Sequence, residues 1–206
     1  MRVYKFKRLA DFDRVAEIFY YSRFYNALFG ELNDPMEGEI YNCDDDIRED
    51  YIHDMQEDRN TIRICCFSKT CRNQLLWAHY AEGFRGICIE VELIDWPEHE
   101  IAEVFYCPPS TWLHLSNDSG DYVGSWAKEV LKGKYSCWRY EKEVRVLTAK
   151  KYIGDPMCVI KSVLLGTRIS SVMENAIVQL APKGVTVFRT KISPYSNRVV
   201  KEKRLK

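Results

Sequence analysis

Strand-like and helix-like segments follow one another along this chain in an irregular order, which constrains its fold more than any other feature. Strand-like patterning is found over residues 2–6, 62–68, 87–92, 102–107, 141–148, 159–165 and 185–191. Apolar residues and capping residues predict helices over 11–22, 75–81, 123–131 and 171–180, and the acidic start of 44–55 predicts a capped, largely exposed helix there. Residues 24–29 fit either a short strand or a continuation of the first helix. We therefore expect an α+β fold with a mixed, mostly antiparallel sheet flanked by short helices, rather than a doubly wound fold.

Length and composition fit one folded domain. The chain has 206 residues, of which 46% are hydrophobic and 29% are charged, so it can bury a sizeable core. We expect a single domain over residues 1–206. Thirty basic residues balance thirty acidic residues, so the overall charge does not favour nucleic acid or an anionic membrane as a partner. Residues 198–206 are the clearest basic cluster, which we interpret as a solvated tail that can also steer an anionic partner.

The first residues and the cysteines indicate a cytoplasmic protein. Residues 1–7 alternate polar and apolar and do not form a secretory signal, and no stretch is long and apolar enough to span a membrane. The eight cysteines include no Cys-x-x-Cys pair. We therefore expect reduced thiols, several of them buried, instead of disulfides or a zinc site, and we expect no metal.

Two carboxylates and a guanidinium alternate at the start of segment 141–148. On a strand, Glu141, Glu143 and Arg145 share one face. If that face borders a cleft, Arg145 can keep one carboxylate ionised while the other contacts a ligand hydroxyl. The same pattern equally fits an exposed face with ordinary cross-strand ion pairs, and the residues alone leave both interpretations open.

The aromatic segment 75–86 is a second candidate. Trp77, His79 and Tyr80 precede a turn flanked by glycines, and such side chains can stack on a planar heterocycle and hydrogen-bond to it. Trp77 and Tyr80 are also three residues apart, which is the spacing of a core-facing helical stripe. Both interpretations remain open.

Two further segments have the composition of turns and loops. Asn33-Asp34-Pro35 interrupts regular structure, and the turn Asn33-Asp34-Pro35-Met36-Glu37 either caps a helix or brings polar groups to a cleft. Residues 109–121 are rich in Ser, Asn, Asp and Gly and predict a mobile loop, a candidate lid. The chain has no dinucleotide-binding glycine fingerprint, phosphate loop, nucleophile elbow or His-Glu-x-x-His motif, which excludes those enzyme classes.

A series of short boxes along nearly the whole chain carries a family resemblance. The boxes are Tyr4-Lys5-Phe6, Asn33-Asp34-Pro35-Met36-Glu37, Cys66-Phe67-Ser68, Trp77-Ala78-His79-Tyr80-Ala81, Gly86-Ile87-Cys88-Ile89, Trp138-Arg139-Tyr140-Glu141-Lys142-Glu143-Val144-Arg145 and Val163-Leu164-Leu165-Gly166. Together they resemble a bacterial and phage family catalogued as domain of unknown function 2971. The chain departs from that pattern at Met36, where the family has Phe. The family name implies no activity.

The order of the polar motifs also resembles that of ADP-ribosyltransferases. Those enzymes have a split sheet with a polar residue on the first strand, an aromatic or Ser-containing second motif, and a late strand with a catalytic Glu, often as Glu-x-Glu. Here Arg2 or Tyr4-Lys5, then Ser68 or Tyr80, then Glu141-x-Glu143 follow that order. The resemblance implies an ADP-ribosyltransferase-like fold and an enzyme that uses NAD as its substrate.

The resemblance also implies roles for individual residues. Glu143 is expected to be the catalytic carboxylate, Glu141 to position the acceptor, and Tyr80 or Trp77 to stack on nicotinamide. Arg2, Lys5 or Arg145 is expected to bind the pyrophosphate. The full set of residues expected to bind the cofactor is Arg2, Tyr4, Lys5, Ser68, Trp77, His79, Arg145, Asn33 and Asp34.

Such an enzyme is expected to act as a toxin or in phage–host conflict, with protein, nucleic acid or water as the acceptor. The alternative is a non-catalytic module that senses a nucleotide or binds a protein through the same cleft. A nuclease fits less well, because the net charge is zero and no metal-binding carboxylate cluster is evident.

Overall fold

The fold is α+β, with a nine-stranded mixed sheet at its centre. The computed structural model describes residues 1–34, 36–39, 41–43, 49–97, 100–108, 113–115 and 123–206. Its strands are β1 (Arg2–Lys7), β2 (Arg23–Tyr25), β3 (Ala27–Leu28), β4 (Tyr41–Cys43), β5 (Arg63–Ser68), β6 (Ile87–Leu93), β7 (Ile101–Glu103), β8 (Phe105–Cys107), β9 (Leu113–Leu115), β10 (Gly133–Tyr135), β11 (Glu143–Thr148), β12 (Tyr152–Gly154), β13 (Cys158–Leu165), β14 (Thr186–Ile192) and β15 (Val199–Arg204). Its α-helices are α1 (Phe12–Tyr21), α2 (Glu49–Thr61), α3 (Gln74–Tyr80), α4 (Val123–Val130) and α5 (Ser171–Leu180).

The strands of the large sheet are mostly antiparallel. Their order is β15-β14-β13-β6-β1-β5-β11-β7, and β3 pairs with β5 outside this path. β13 and β14 are parallel, joined by the crossover helix α5, and the other pairs of this sheet are antiparallel. The expected α+β class with a mixed, mostly antiparallel sheet and short helices is confirmed.

Helices cover both faces of the sheet. On one face, Val15, Ile18 and Phe19 of α1 are buried at helical spacing and belong to the same apolar cluster as Val91 and Val146. On the other face, Trp77 of α3 packs with Phe6 of β1. These apolar contacts fix α3, and with it Tyr80 at its end, against the sheet.

The sheet opens between β1 and β5. β1 pairs with β6 at six Cα positions, from Arg2 opposite Glu92 to Lys7 opposite Ile87. The pairing of β1 with β5 is a single Cα pair, Tyr4 opposite Ser68. Beyond that pair the two strands diverge, and a cleft of about 590 Å³ lies there.

Several segments have a secondary structure that differs from the prediction. Segment 102–107 divides into two strands, β7 and β8. Residues 24–29 form parts of β2 and β3 and the start of a 3-10 helix, Phe29–Glu31. The basic chain end is strand β15 at the sheet edge instead of a solvated tail, because its apolar start, Val199, is buried and β14 pairs with it.

Two predictions fall partly outside the described residues. Of the predicted helix 44–55, residues 44–48 lie outside them, and α2 occupies Glu49–Thr61. Of the predicted loop 109–121, only Leu113–Leu115 is described, as strand β9 parallel to β4. Among the described residues, no helix has both the length and the apolar character needed to cross a bilayer.

Candidate functional site

The cleft at the β1–β5 opening is lined by residues from distant parts of the sequence. Tyr4 and Lys5 come from β1, Ser68 ends β5, and Tyr80 ends α3. Other polar side chains that line it include Asn33, Glu37, Lys134, Glu141 and Glu143. The opening in the sheet is therefore what brings these groups around one cavity.

Glu141 and Glu143 reach the cleft by different backbone routes. Glu143 begins β11 opposite Ser68, whereas Glu141 ends a 3-10 helix, Ser136–Glu141. Lys142 between them has a left-handed backbone with φ of 47°. This corrects the prediction that Glu141, Glu143 and Arg145 share one strand face, because the strand begins only after Lys142.

Neighbouring groups hold this corner of the backbone in place. Ser68 Oγ donates a hydrogen bond of 2.5 Å to the carbonyl oxygen of Glu141. The amide of Lys69 donates to the carbonyl of Lys142 at 2.9 Å. The amide of Glu143 donates to the hydroxyl oxygen of Tyr106 at 2.8 Å. Ser68 thus supports the carboxylates through the backbone of Glu141.

Beneath the cleft lies a buried group of ionisable side chains, here called the floor cluster: Glu37, Lys134, Glu141, Glu143 and Arg145. Lys134 is its centre. Its Nζ lies 2.7 Å from Glu141 Oε2, 3.0 Å from Glu37 Oε1 and 3.1 Å from Glu143 Oε2. One ammonium therefore ties three carboxylates together.

Arg145 closes the floor cluster from below. Its Nε donates to Glu143 Oε1 at 2.8 Å and its Nη2 to Glu37 Oε2 at 2.5 Å. Its Nη1 donates to the carbonyl of Leu131 at 2.6 Å. The side chain of Arg145 is 0% exposed, so it orients Glu143 from behind and does not reach a ligand in the cleft. This corrects the prediction that Arg145 holds a pyrophosphate.

The floor cluster has an excess of negative charge when it is fully ionised, since three carboxylates face two cations. Burial raises the pKa of Glu141, and Lys134 and Tyr80 offset this only in part. Burial also disfavours the charged form of Glu143, but Arg145 and Lys134 outweigh it and lower its pKa to about 2. Glu143 is therefore a fixed anion, and Glu141 takes up a proton at a higher pH than Glu143 does.

Tyr80 links α3 to the floor cluster. Its hydroxyl donates a hydrogen bond of 2.5 Å to Glu141 Oε1. Burial, together with the hydrogen bond to Glu141 and its charge, raises the pKa of Tyr80, so the phenol stays protonated at neutral pH. It can therefore donate to Glu141 at the edge of the cleft, which Tyr80 lines.

Most of the residues predicted as a site meet in this cleft. Those that line it are Tyr4, Lys5, Asn33, Ser68, Tyr80, Glu141 and Glu143. The turn at Asn33 has two roles, because Asp34 Oδ1 accepts a hydrogen bond from the amide of Met36 at 3.0 Å while Asn33 and Glu37 line the cavity. Asp34 thus stabilises the turn instead of facing the cleft.

The other predicted site residues lie away from the cavity. Trp77 is completely buried, donates to the carbonyl of Cys71 at 2.7 Å and packs against Phe6, so its proposed stacking on nicotinamide is corrected to a core role. Arg2 pairs with Glu90 at 3.1 Å. His79 is exposed beside the ring of Tyr140 and does not line the cleft.

The sequence patterns missed three groups that matter to the site. Lys134 lies on the three-residue strand β10, which is too short for alternation to reveal. Lys7 and Arg14 also line the cleft. Lys7 could have been found from β1 alone, because it follows Lys5 at the two-residue spacing that places both on one face.

Within the described part of the chain, no group of three or more His, Cys, Asp or Glu side chains is arranged to hold a metal ion.

Comparison with known proteins gave no match: no family model, no curated protein and no solved structure is significantly similar to this chain. The two resemblances drawn from the sequence motifs therefore remain hypotheses.

Proposed function

We propose that this protein is an ADP-ribosyltransferase-like enzyme that cleaves the bond between nicotinamide and ribose in NAD. One observation carries the proposal: Glu141 and Glu143 meet at Lys134 on the floor of a cleft that opens where β1 and β5 separate. The resemblance in motif order supports the same fold type and substrate. NAD is a substrate in this proposal, and no metal takes part.

The charge of the floor cluster suits this reaction. As nicotinamide leaves, positive charge moves from its ring to the ribose, which becomes oxocarbenium-like. A fixed negative charge beside the ribose stabilises that transition state more than the ground state, and its effect is larger where water is excluded. Glu143, whose pKa is lowered to about 2, supplies such a charge at every physiological pH.

Glu141 serves the other half of the reaction. The acceptor nucleophile forms a bond to the ribose carbon, the bond to nicotinamide breaks, and the acceptor proton passes to Glu141. A general base works best when its pKa lies near the working pH, and burial raises the pKa of Glu141 in that direction. In this proposal Tyr80 orients Glu141 through its hydroxyl, and its ring contacts nicotinamide. Water as the acceptor makes the enzyme an NAD glycohydrolase.

A second candidate, a non-catalytic module that binds a nucleotide or a protein, rests on a different observation. Each carboxylate oxygen of Glu141 and Glu143 already accepts a bond from Tyr80, Lys134 or Arg145. A cluster satisfied in this way can serve to shape a binding cleft, without any reaction.

Nicotinamide release and ligand-induced stabilisation separate the two candidates. The purified protein is incubated with NAD while free nicotinamide is measured, and its melting temperature is recorded with and without NAD or ADP-ribose. Release of nicotinamide supports the enzyme. A rise in melting temperature without release supports the binding module, and the absence of both rejects the cleft as a nucleotide site.

The motif resemblance to a bacterial and phage family extends the proposal to a role as a toxin or in phage–host conflict. Expression of an NAD-consuming enzyme in a bacterial cell is expected to lower cellular NAD and arrest growth. Growth and NAD content are compared with those of cells that express Glu143→Gln. Equal NAD content in the two strains would reject the toxin role.

A further inference from the structure

A second set of charges lines the same cleft, here called the basic wall: Lys5, Lys7 and Arg14. Lys5 and Lys7 project from one side of β1, and Arg14 lies in the first turn of α1. Lys5 is the member near the floor cluster. Its Nζ donates to the carbonyl of Cys66 at 2.7 Å, and despite its burial its pKa is raised, with Glu143 among the causes.

Lys7 is a poorly compensated cation. Burial lowers its pKa to about 8, and repulsion from Lys5 and Arg14 adds to this effect. Among the described residues, Lys7 and Arg14 form no ion pair within 4.0 Å. An anionic ligand would therefore relieve repulsion within the basic wall and would not have to break an existing pair there.

The carboxylates on the same side of the cleft have other partners. Glu17 pairs with Arg23 at 2.7 Å. Glu31 accepts hydrogen bonds from the Tyr25 hydroxyl and the Leu28 amide, each at 2.7 Å. Asp13, exposed in α1, is the remaining described carboxylate that lines this side. The partners of Glu31 are neutral, so its charge remains. Even so, the cations that line this side of the cleft outnumber its carboxylates by one, with Lys5, Lys7, Arg14 and Arg23 against Asp13, Glu17 and Glu31. Positive charge is therefore in slight excess at the basic wall, whereas negative charge is in excess at the floor cluster.

We infer that the basic wall binds the diphosphate of the ligand, so that the cleft selects dinucleotides and nucleoside diphosphate sugars over nucleosides. This inference rests on the proposed function for the placement of the ribose beside Glu143. Lys5 then lies between the ribose and the diphosphate, and Lys7 and Arg14 contact phosphate oxygens. The basic wall thus has the role that the sequence analysis gave to Arg2 and Arg145, two residues that do not line the cleft.

Binding of ADP-ribose and of nicotinamide riboside tests the inference by calorimetry. Lys7→Met and Arg14→Gln each remove one positive charge, and the loss of a charge-assisted bond is expected to weaken ADP-ribose binding about tenfold. Binding of nicotinamide riboside, which has no diphosphate, is expected to change little. Wild-type affinity for ADP-ribose is expected to fall as salt rises, and to fall less steeply in either variant.

Arg8→Gln and Lys161→Met are the matched controls. Both residues lie outside the cleft and are paired at the surface, with Asp11 and Glu92 respectively. Each removes one positive charge and is expected to keep wild-type affinity. Melting curves confirm that every variant folds, and Lys7→Met is expected to melt no lower than wild type.

The outcomes separate this inference from the proposed function. ADP-ribose binding that weakens in Lys7→Met and Arg14→Gln supports the basic wall even if no nicotinamide is released, in which case the proposed reaction alone is rejected. Nicotinamide release with unchanged KM for NAD and unchanged ADP-ribose affinity in both variants overturns the basic wall and leaves the reaction standing. No binding of ADP-ribose to the wild type also overturns it.

Discussion

The Tyr80 hydroxyl donates a hydrogen bond of 2.5 Å to the carboxylate of Glu141. This bond joins the end of α3 to the 3-10 helix before β11, across 61 positions of sequence. The second oxygen of Glu141 accepts from Lys134. The protonation of Glu141 is therefore set from two sides, by a neutral donor at the cleft and by a cation beneath it.

Tyr80→Phe is expected to move the acid limb of the pH–rate profile to higher pH. Burial raises the pKa of Glu141, and the bond from Tyr80 opposes that rise, so its removal raises the pKa further. Because the proposed base must be ionised, activity is then lost at a higher pH than in the wild type. The rate of nicotinamide release is measured across pH. Tyr195→Phe is the control, because Tyr195 is 98% exposed. If the acid limb of Tyr80→Phe lies at the same pH as that of the wild type, Glu141 is not the base.

Arg145→Met is expected to destabilise the protein by about 3–5 kcal/mol, because it leaves Glu143 and Glu37 buried without their main partner. Arg189→Met is the matched control, since Arg189 is 45% exposed and pairs with Glu174 at the surface. Its expected effect is below about 1 kcal/mol. Urea unfolding measures both. Equal losses in the two variants would mean that the floor cluster does not contribute to stability.

Glu143 is expected to make stability fall in acid. Its pKa is about 2 in the folded protein and 4.5 in its ordinary state, so its stabilising effect is full above pH 4.5 and is lost as the pH falls toward 2. The difference in unfolding free energy between wild type and Glu143→Gln should narrow over that window. Glu57→Gln, at a side chain 70% exposed, provides the control. A difference that stays constant below pH 4.5 would contradict the charged state assigned to Glu143.

Gly166→Ala is expected to destabilise the turn that follows α3. A Cβ at Gly166 would overlap the carbonyl group of Phe84, and this is part of the backbone, so it cannot move aside as a flexible side chain could. Gly30→Ala is the control, because a Cβ there meets nothing within 4 Å. Thermal melts of both variants are compared. A Gly166→Ala protein that melts like Gly30→Ala would show that this close approach is not needed.

Local patterns were enough to predict many of the elements. Strand β5 alternates as expected, with Cys65 and Phe67 in the main core and Ile64 in a cluster on the opposite face, because the pleat of a strand fixes a period of two. Helix α5 occupies the predicted residues, Ser171–Leu180, and Ser170 Oγ accepts from the amide of Met173 at its start. In both cases the signal lies within one segment.

The floor cluster could not be predicted in the same way, since its geometry depends on contacts between distant segments. Arg145 meets Glu37, which is 108 positions away on a turn. The left-handed residue Lys142 separates Glu141 from the strand, and a polar residue in an alternating run gives no sign of such a turn.

The start of α1 is a second place where the sequence pattern was not enough. Asp11 occupies the N-cap position of α1 without a capping bond and pairs with Arg8 instead.

The role of Glu143 in catalysis is decided by the rate of nicotinamide release from NAD by wild type, Glu143→Gln and Glu57→Gln. We expect release by the wild type, a similar rate for Glu57→Gln, and a loss of about 100-fold or more for Glu143→Gln, because the fixed charge that stabilises the transition state is gone. Glu143→Asp, which keeps the charge, should fold and retain part of the rate. A folded Glu143→Gln protein that releases nicotinamide as fast as the wild type would show that Glu143 is not the catalytic carboxylate.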